Sequence, residues 1–160
     1  MPKLARKQLR KKPEISLRSR ALQYLARREY SRVELRAKLF QYAQEGEDVE
    51  ATLDELEERD SLSDERAATQ IVHAKRNRFG AQRIAHELRL KGIADNLINA
   101  AMPALKETEL EAVREVWSRK FGALPKDVKE KAKQVRFLQS RGFALDVILQ
   151  LLRLRTASGD

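Results

Sequence analysis

The sequence predicts an all-α protein made of three tandem three-helix repeats that form an elongated, curved array. Apolar residues recur every three or four positions along most of the 160 residues, which is the spacing of amphipathic helices. No Asn-Gly or Asp-Gly turn separates alternating apolar runs, so hairpin signals are missing from the sequence. The chain also matches itself at an offset of about 50 residues, which indicates one supersecondary unit used repeatedly.

The apolar periodicity predicts about nine helices, three in each repeat. A helix boundary is expected after Pro103, because Glu107, Glu109 and Glu111 would enrich the first turn of a helix that follows it. The apolar positions, helix by helix, are Leu17, Ala21, Leu22 and Leu25; Leu35 and Leu39; Val49, Leu53 and Leu56; Ala68, Ile71 and Ala74; Ile84, Ala85 and Leu88; Ala94, Leu97, Ile98 and Ala101; Leu110, Val113 and Trp117; Val128, Ala132, Val135 and Leu138; and Val147, Ile148, Leu151 and Leu152.

Glycines and aromatic residues recur at equivalent positions of the repeats. An aromatic residue followed by a small one ends each first helix, and we expect it to fill the core of its unit. A glycine ends each second helix, where it can take the left-handed conformation that other residues avoid. The aromatic residues are Tyr30, Phe79 and Phe121, and the glycines are Gly46, Gly92 and Gly142.

These repeats predict three units, at residues 17–61, 62–105 and 106–155. A basic, disordered tail is expected at residues 1–16 and a disordered C-terminus at residues 156–160. Each unit would bury its faces partly on its neighbours, which favours an extended array over a globe. Such repeated helical surfaces usually bind other molecules.

Charge is distributed unevenly along the chain, whose formal net charge is +9. Residues 1–20 contain eight basic residues and one acidic residue, whereas residues 45–65 contain eleven acidic residues and one basic residue. Basic segments follow the acidic stretch, so the banding indicates an anionic partner, with nucleic acid first among the candidates. The alternative is that the basic tail is a solvated arm that aids solubility.

Several classes of protein are disfavoured by composition and motifs. Absence of cysteine excludes disulfide scaffolds and cysteine-based sites, and no glycine-rich phosphate loop occurs. No apolar run is long enough to span a membrane, and no apolar segment of a secretory signal follows the basic N-terminus, so we expect a cytoplasmic protein. His73 and His86 lack a metal-binding spacing and are interpreted as helix surface residues. We expect no cofactor, no metal and no enzymatic activity.

Two further features have a structural interpretation and an alternative. The acidic cluster from Glu45 to Asp60 lacks the pattern of a calcium loop, and we interpret its acids as the solvated face of a helix. Trp117 lies at helical spacing between Val113 and Phe121 and is interpreted as a core residue, with a base-stacking platform as the alternative.

Basic residues collect at equivalent places in successive units and are the candidate binding site. Regular stacking of the units would align them in a stripe able to follow phosphates along a strand. Lysine and arginine are also good surface helix formers, which is the alternative for any single residue. The candidates are Arg27, Arg28, Arg76, Arg78, Arg119 and Lys120 at the ends of first helices, Arg32, Arg36 and Arg83 on second helices, and Lys91 and Arg141 before the repeat glycines.

Four segments, in matching order and spacing over residues 17–153, resemble the bacterial RecX family, regulators of the RecA recombinase. Their sequences are YLARREYSRVEL at 24–35, LSDER at 62–66, FGAQRIAHEL at 79–88 with KGI at 91–93, and RGF at 141–143 with Val147 and Ile148. Two features depart from the family pattern. Ala67 and Ala68 stand where a bulky aromatic is common, and the basic tail lies outside the shared region.

The resemblance implies a non-enzymatic modulator that lies along the groove of a RecA filament on single-stranded DNA and usually suppresses strand exchange, ATPase and coprotease activity. The partners it implies are the RecA nucleoprotein filament and, more weakly, single- and double-stranded DNA. No membrane is involved, and the protein is expected to act as a monomer. The alternative is a stand-alone helical DNA-binding module that competes for DNA. A nuclease or other enzyme is disfavoured, because ligand and nucleophile constellations are missing from the sequence.

Overall fold

The computed structural model describes residues 15–157, and this part of the chain folds into eight helices with no strand. The predicted all-α class and the three-helix repeats are confirmed. Of the two predicted disordered ends, Ile15 and Ser16, which caps the first helix, are described, as are Thr156 and Ala157, which belong to the last helix. Residues 1–14 and 158–160 lie outside the described residues. The helices are α1 Leu17–Leu25, α2 Arg32–Phe40, α3 Val49–Glu58, α4 Asp64–Lys75, α5 Ala81–Leu90, α6 Asp95–Lys120, α7 Val128–Ser140 and α8 Leu145–Ala157.

The predicted helix boundary near Pro103 is wrong. Helix α6 runs through Pro103 without a break over 26 residues, a length of about 39 Å. Its first half buries Ile98 and Leu105 in one core, and its second half buries Val113 and Trp117 in the next. Because packing on both sides outweighs the one backbone hydrogen bond that a proline removes, two of the predicted helices are a single element shared by the second and third units.

Each three-helix unit has its own apolar core. The first core is built on Leu35, Leu39 and Leu53, and the second on Ile84 and Leu88. The hydrogen bonds and ion pairs that connect units within residues 15–157 join neighbours, first to second or second to third. The units therefore follow one another in a row. The main residues of the third core are Val113, Trp117, Leu138, Phe143, Ile148 and Leu151.

The predicted glycine end is confirmed for two of the three second helices: Gly92 and Gly142 directly follow the caps of α5 and α7, whereas α2 ends at Phe40 and Gly46 lies in a separate turn before α3. Gly46, Gly92 and Gly142 have φ angles of +87°, +75° and +91°, which side chains rarely tolerate. Between residues 15 and 157, none of the helices has the length and apolar character needed to cross a membrane. Of the aromatic residues predicted to end the first helices, only Phe121 directly follows its helix, since Tyr30 lies five residues after α1 and Phe79 four residues after α4. All three contact the cores: Tyr30 is buried in the first, and Phe79 and Phe121 are partly buried against the second and third.

Candidate functional site

The second and third units meet through their backbones, in a contact that we call the second joint. It joins Gly80, at the start of α5, to Arg141 and Gly142, in the loop between α7 and α8. The Gly80 N–H donates to the Arg141 carbonyl at 2.9 Å, and a Cβ atom on Gly80 would overlap the Gly142 carbonyl. A Cβ atom on Gly142 would likewise overlap Arg83. This close approach brings basic residues of both units to one place.

Cationic side chains surround two aromatic rings at the second joint. The Arg83 guanidinium carbon lies 4.3 Å from the centre of the Phe79 ring, and Arg141 lies 5.6 Å from it. Arg141 also lies 5.2 Å from the Phe137 ring, and the Lys120 Nζ lies 5.1 Å from that ring. These positions restrict the cations before any ligand arrives. The basic-aromatic cluster consists of Lys75, Arg78, Phe79, Arg83, Lys120, Phe137 and Arg141.

Most cations of the basic-aromatic cluster have no acidic partner. Within residues 15–157, no carboxylate lies within 4.0 Å of the cationic nitrogens of Arg78, Arg83, Lys120 or Arg141. Their charge is therefore available to an anion. The neighbouring Arg119 contacts Glu115 at 2.8 Å, with both side chains exposed. Four residues of the cluster line an open cleft of about 280 Å³, namely Arg78, Lys120, Phe137 and Arg141.

The predicted cations of α2 point to α3 and are paired there. Arg32 contacts Glu50 at 2.8 Å, Asp54 at 2.7 Å and Glu57 at 3.1 Å. Arg36 contacts Glu50 at 2.5 Å, and the hydrogen bonds from Arg36 and Arg32 lower the pKa of Glu50 to about 2. The acidic face of α3, which the sequence predicts to be solvated, thus neutralises these two arginines.

The first and second units meet at an equivalent contact, which we call the first joint. It joins Ser31, before α2, to Lys91 and Gly92, after α5, and the predicted cations are also paired there. Arg28 contacts Glu34 at 3.0 Å, and Lys91 contacts Glu34 at 3.8 Å and Glu87 at 3.5 Å. Burial alone would raise the pKa of Glu34, but the Ser31 N–H, Arg28 and Lys91 outweigh burial and lower it. The carboxylates therefore hold the cations of this joint within the protein.

Nine of the eleven candidate cations thus fall into two groups. The structure brings Arg78, Arg83, Lys120 and Arg141 together, with Arg119 beside them in the cleft. The second group is held by carboxylates of the first and second units, and its members are Arg28, Arg32, Arg36 and Lys91.

Two candidates belong to neither group. Arg27 is exposed after α1, and Arg76 is half-buried at the end of α4. Neither lies against an aromatic ring of the basic-aromatic cluster. Of the predicted stripe, the cations that lie together without acidic partners are therefore those at the second joint.

Sequence reasoning missed the role of Glu109. The sequence predicts an exposed first turn there, but Glu109 lies inside α6 and is 5% exposed. One carboxylate oxygen accepts the N–H of Ala81 at 3.3 Å and the N–H of Ala144 at 3.4 Å, and burial raises the pKa of Glu109. The repeat contained a signal for this role. Gly80 occupies the position that is equivalent to Ser31, whose side chain caps α2, so α5 needs an acceptor from elsewhere.

The remaining candidates from the sequence are Trp117, the two histidines and a metal site. Trp117 is 4% exposed and its indole N–H donates to Gln134 at 2.9 Å, so the core interpretation is confirmed. His73 and His86 are exposed helix residues. Among residues 15–157, no group of three or more acids or histidines is placed to hold a metal ion.

The fold and the basic-aromatic cluster define a class of protein: a row of helical repeats with a basic surface where the second and third units meet. Models of the first, second and third three-helix domains of RecX match residues 18–56, 63–102 and 107–152. The chain belongs to the RecX family, as its sequence motifs predicted.

Curated relatives and solved structures agree with this assignment. "Regulatory protein RecX" of Leptothrix cholodnii is 48% identical over 149 residues, covering 93% of this chain and 95% of the relative. The protein of the same name from Herminiimonas arsenicoxydans is 42% identical over 149 residues, which cover 93% of this chain and 99% of the relative. The crystal structure of RecX from Lactobacillus salivarius is 24% identical, with a TM-score of 0.67 over 86% of this chain and 95% of that one, which shows the shared fold.

Proposed function

We propose that this protein modulates the RecA recombinase, usually as an inhibitor. It binds as a monomer along the groove of the RecA filament on single-stranded DNA, in the cytoplasm, and suppresses strand exchange, ATPase and coprotease activity without being an enzyme. The relatives that support the proposal are named as regulatory proteins, and the RecX family resemblance supplies RecA as the target.

The observation that carries the proposal is the basic-aromatic cluster on a row of units. Three units with separate cores offer an extended surface, as contact with successive protomers of a filament requires. Cations without acidic partners attract either DNA phosphates or an acidic surface of RecA. A protein that contacts neighbouring protomers and their DNA together would hinder extension of the filament or favour its disassembly.

We assign the contact with the filament first to Arg78, Arg83, Lys120 and Arg141. The other cations are ranked by whether a carboxylate already holds them. Arg27 and Arg76 extend the basic surface, and Arg119, which Glu115 already holds, contributes less. Arg28, Arg32, Arg36 and Lys91 would each have to exchange a carboxylate of this protein for the ligand, so their contribution to affinity is smaller.

The same cluster supports a second candidate function, a stand-alone DNA-binding module that competes with RecA for DNA. Unpaired cations need no RecA to bind phosphate. For such a module, log affinity for single-stranded DNA falls with log salt at a slope of about 0.7 per phosphate contacted. Dependence on RecA distinguishes the two functions.

The deciding experiment measures the single-strand-dependent ATPase rate of RecA as this protein is added in substoichiometric amounts. Binding to the same DNA without RecA is measured in parallel at the same salt concentration. A rate that falls well before the protein could coat the DNA supports action on the filament. A rate that stays constant until the DNA is saturated contradicts it and favours competition for DNA.

A variant pair tests the site itself. The triple variant Arg78→Gln, Lys120→Gln and Arg141→Gln removes three charges from the cluster and should weaken the inhibition. The control variant Lys129→Gln, Lys131→Gln and Lys133→Gln removes three charges from exposed positions of α7 and should inhibit as the unmodified protein does. Circular dichroism checks the folding of both. Equal inhibition by the two variants would remove the cluster from the proposal.

A further inference from the structure

Glu109 connects the starts of two helices that belong to different units. Its carboxylate oxygen accepts from Ala81, the first residue of α5 in the second unit. The same oxygen accepts from Ala144, the residue before α8 in the third unit. Since helix N-termini carry partial positive charge, a carboxylate between two of them is stabilised by both.

Neither of these helix starts supplies a side chain of its own to accept these N–H groups. Gly80 has no side chain, and its position before α5 shows no side-chain cap. Ala144 carries only a methyl group. In the first unit, by contrast, Ser31 caps α2 and forms a capping box with Glu34. Glu109 therefore replaces, from the middle of α6, two caps that are missing from the local sequence.

The elements that Glu109 connects also carry the basic-aromatic cluster. Arg83 lies two residues after Ala81 on α5, and Arg141 lies three residues before Ala144. The Arg83 guanidinium additionally donates to the Ser140 carbonyl at 3.1 Å, across the same joint. A shift of α5 relative to α8 would therefore separate the cations of the second unit from those of the third.

We infer that Glu109 is a positioning residue that holds the second and third units in one fixed arrangement and thereby assembles the basic-aromatic cluster from both. The carboxylate does not contact the ligand; it acts through the backbone at the starts of α5 and α8. The part of the inference that concerns ligand binding rests on the proposed function, whereas the part that concerns the joint does not.

Distances between spin labels test the joint directly. The chain has no cysteine, so labels go only where one is introduced. One pair, His86→Cys with Lys133→Cys, reports across the joint; a second, Lys133→Cys with Arg153→Cys, reports within the third unit. All three positions are exposed. Glu109→Ala should broaden the distance distribution of the first pair and leave the second narrow.

Two further variants separate positioning from a general loss of structure. Glu109→Gln keeps an acceptor oxygen and should restore the narrow distribution, and Glu111→Ala, which removes an exposed acid of the same helix, should leave it narrow. A first pair that stays narrow in Glu109→Ala overturns the inference. Broadening of both pairs also overturns it, because Glu109 would then support the third unit as a whole.

Binding of a single-stranded oligonucleotide, measured by fluorescence anisotropy over a range of salt, tests the consequence for the cluster. Glu109→Ala should lower the slope of log affinity against log salt by about 0.7 for each phosphate that the variant no longer binds. Glu109→Gln should keep the slope of the unmodified protein. An unchanged slope in a variant whose joint is loosened would overturn the part of the inference that concerns binding of DNA phosphates by the cluster, while leaving the role of Glu109 at the joint.

Discussion

The two joints of the row bring together equivalent segments: the start of a second helix contacts the glycine turn of the next unit. At the first joint the Ser31 hydroxyl donates to the Lys91 carbonyl at 2.7 Å, and Gly92 packs against Val33.

At the second joint other groups make the equivalent contacts. The N–H of Gly80 donates to the Arg141 carbonyl, and Gly142 packs against Arg83. A side chain thus supplies the donor at the first joint and the backbone supplies it at the second. The sequence repeat therefore encodes contacts between units as well as cores within them.

The surroundings of the two joints differ in charge. Glu34 and Glu87 pair with the cations of the first joint, whereas aromatic rings face Arg83 and Arg141 at the second. Equivalent basic positions in a repeat thus have different uses: paired cations stabilise the fold, and unpaired cations are available to an anion. Recurrence of arginine in the sequence does not distinguish them.

The largest expected effect comes from filling the glycine turns. Gly142→Ala combines a positive φ with overlap against Arg83 and should lower the free energy of unfolding by about 3 kcal/mol. Gly46→Ala has the same backbone strain but no atom within 4 Å of the added Cβ, so it should cost only about 1 kcal/mol. Urea denaturation measures both values.

The same series distinguishes the joints. At the first joint the three atoms nearest to the added Cβ of Gly92→Ala all belong to the side chain of Val33, so Val33→Ala should recover part of the stability. At the second joint the neighbours of Gly142 include the backbone of Arg83, and truncating Arg83 should recover less. Equal costs for Gly46→Ala and Gly142→Ala would show that contact between units adds nothing to strain.

The next effect concerns Ser31, which only the first joint possesses. Ser31 is fully buried, caps α2 through the Glu34 N–H and donates to Lys91, so Ser31→Ala should cost about 2 kcal/mol. Ser63→Ala removes a cap from α4 that has no such second role and should cost about 1 kcal/mol. Thermal unfolding of the two variants compares the costs; equal values would mean that the bond to Lys91 contributes nothing.

A smaller effect separates the paired cations from the unpaired ones. Arg32→Gln removes ion pairs with three carboxylates and should cost about 1 kcal/mol, less at high salt because partly exposed ion pairs are screened. Lys120→Gln removes no ion pair within the described residues and should change stability by less than about 0.5 kcal/mol at any salt concentration. Urea midpoints at low and high salt test the contrast, which a salt-independent cost for Arg32→Gln would contradict.

The smallest effect is a pH dependence of opposite sign at the two joints. Glu34 has a lowered pKa in the folded protein, so its contribution to stability is present above its ordinary pKa of 4.5 and is lost as pH falls through the folded value. Glu109 has a raised pKa, so its contribution is full below 4.5 and is lost as pH rises through the folded value. Burial is the largest cause of the raised pKa of Glu109, and the N–H groups of Ala81 and Ala144 oppose it. Asp146 also raises this pKa, and Lys106 lowers it.

Free energies of unfolding over a pH series measure this contrast. As pH rises above 4.5, the free energy of unfolding of Glu109→Gln should increase relative to that of the unmodified protein. As pH falls below 4.5, the difference by which Glu34→Gln is less stable than the unmodified protein should become smaller. Parallel curves for both variants would contradict the assignment of opposite signs.

Much of the fold follows from local sequence rules. Apolar spacing predicted the helices, and the glycine turns at Gly92 and Gly142 followed from their place after a second helix, whereas Gly46 lies beyond the end of α2. The continuity of α6 through Pro103 did not follow, because a local rule expects a break there and two separate cores on one helix outweigh it. The predicted division into units at residues 17–61, 62–105 and 106–155 stays a prediction.

The sequence by itself determined the all-α class, the repeat of three-helix units and the family, since spacing, capping and glycine conformation depend on residues close together in the chain. Only the tertiary structure decided which cations are paired. Arg32 meets the acids of another helix, and Arg83 instead lies against Phe79 and Ser140. Coulomb attraction depends on distance in space, which the packing of helices and units sets. The same packing buries Glu109 between two helix starts and so makes an ordinary surface residue of the sequence part of the joint.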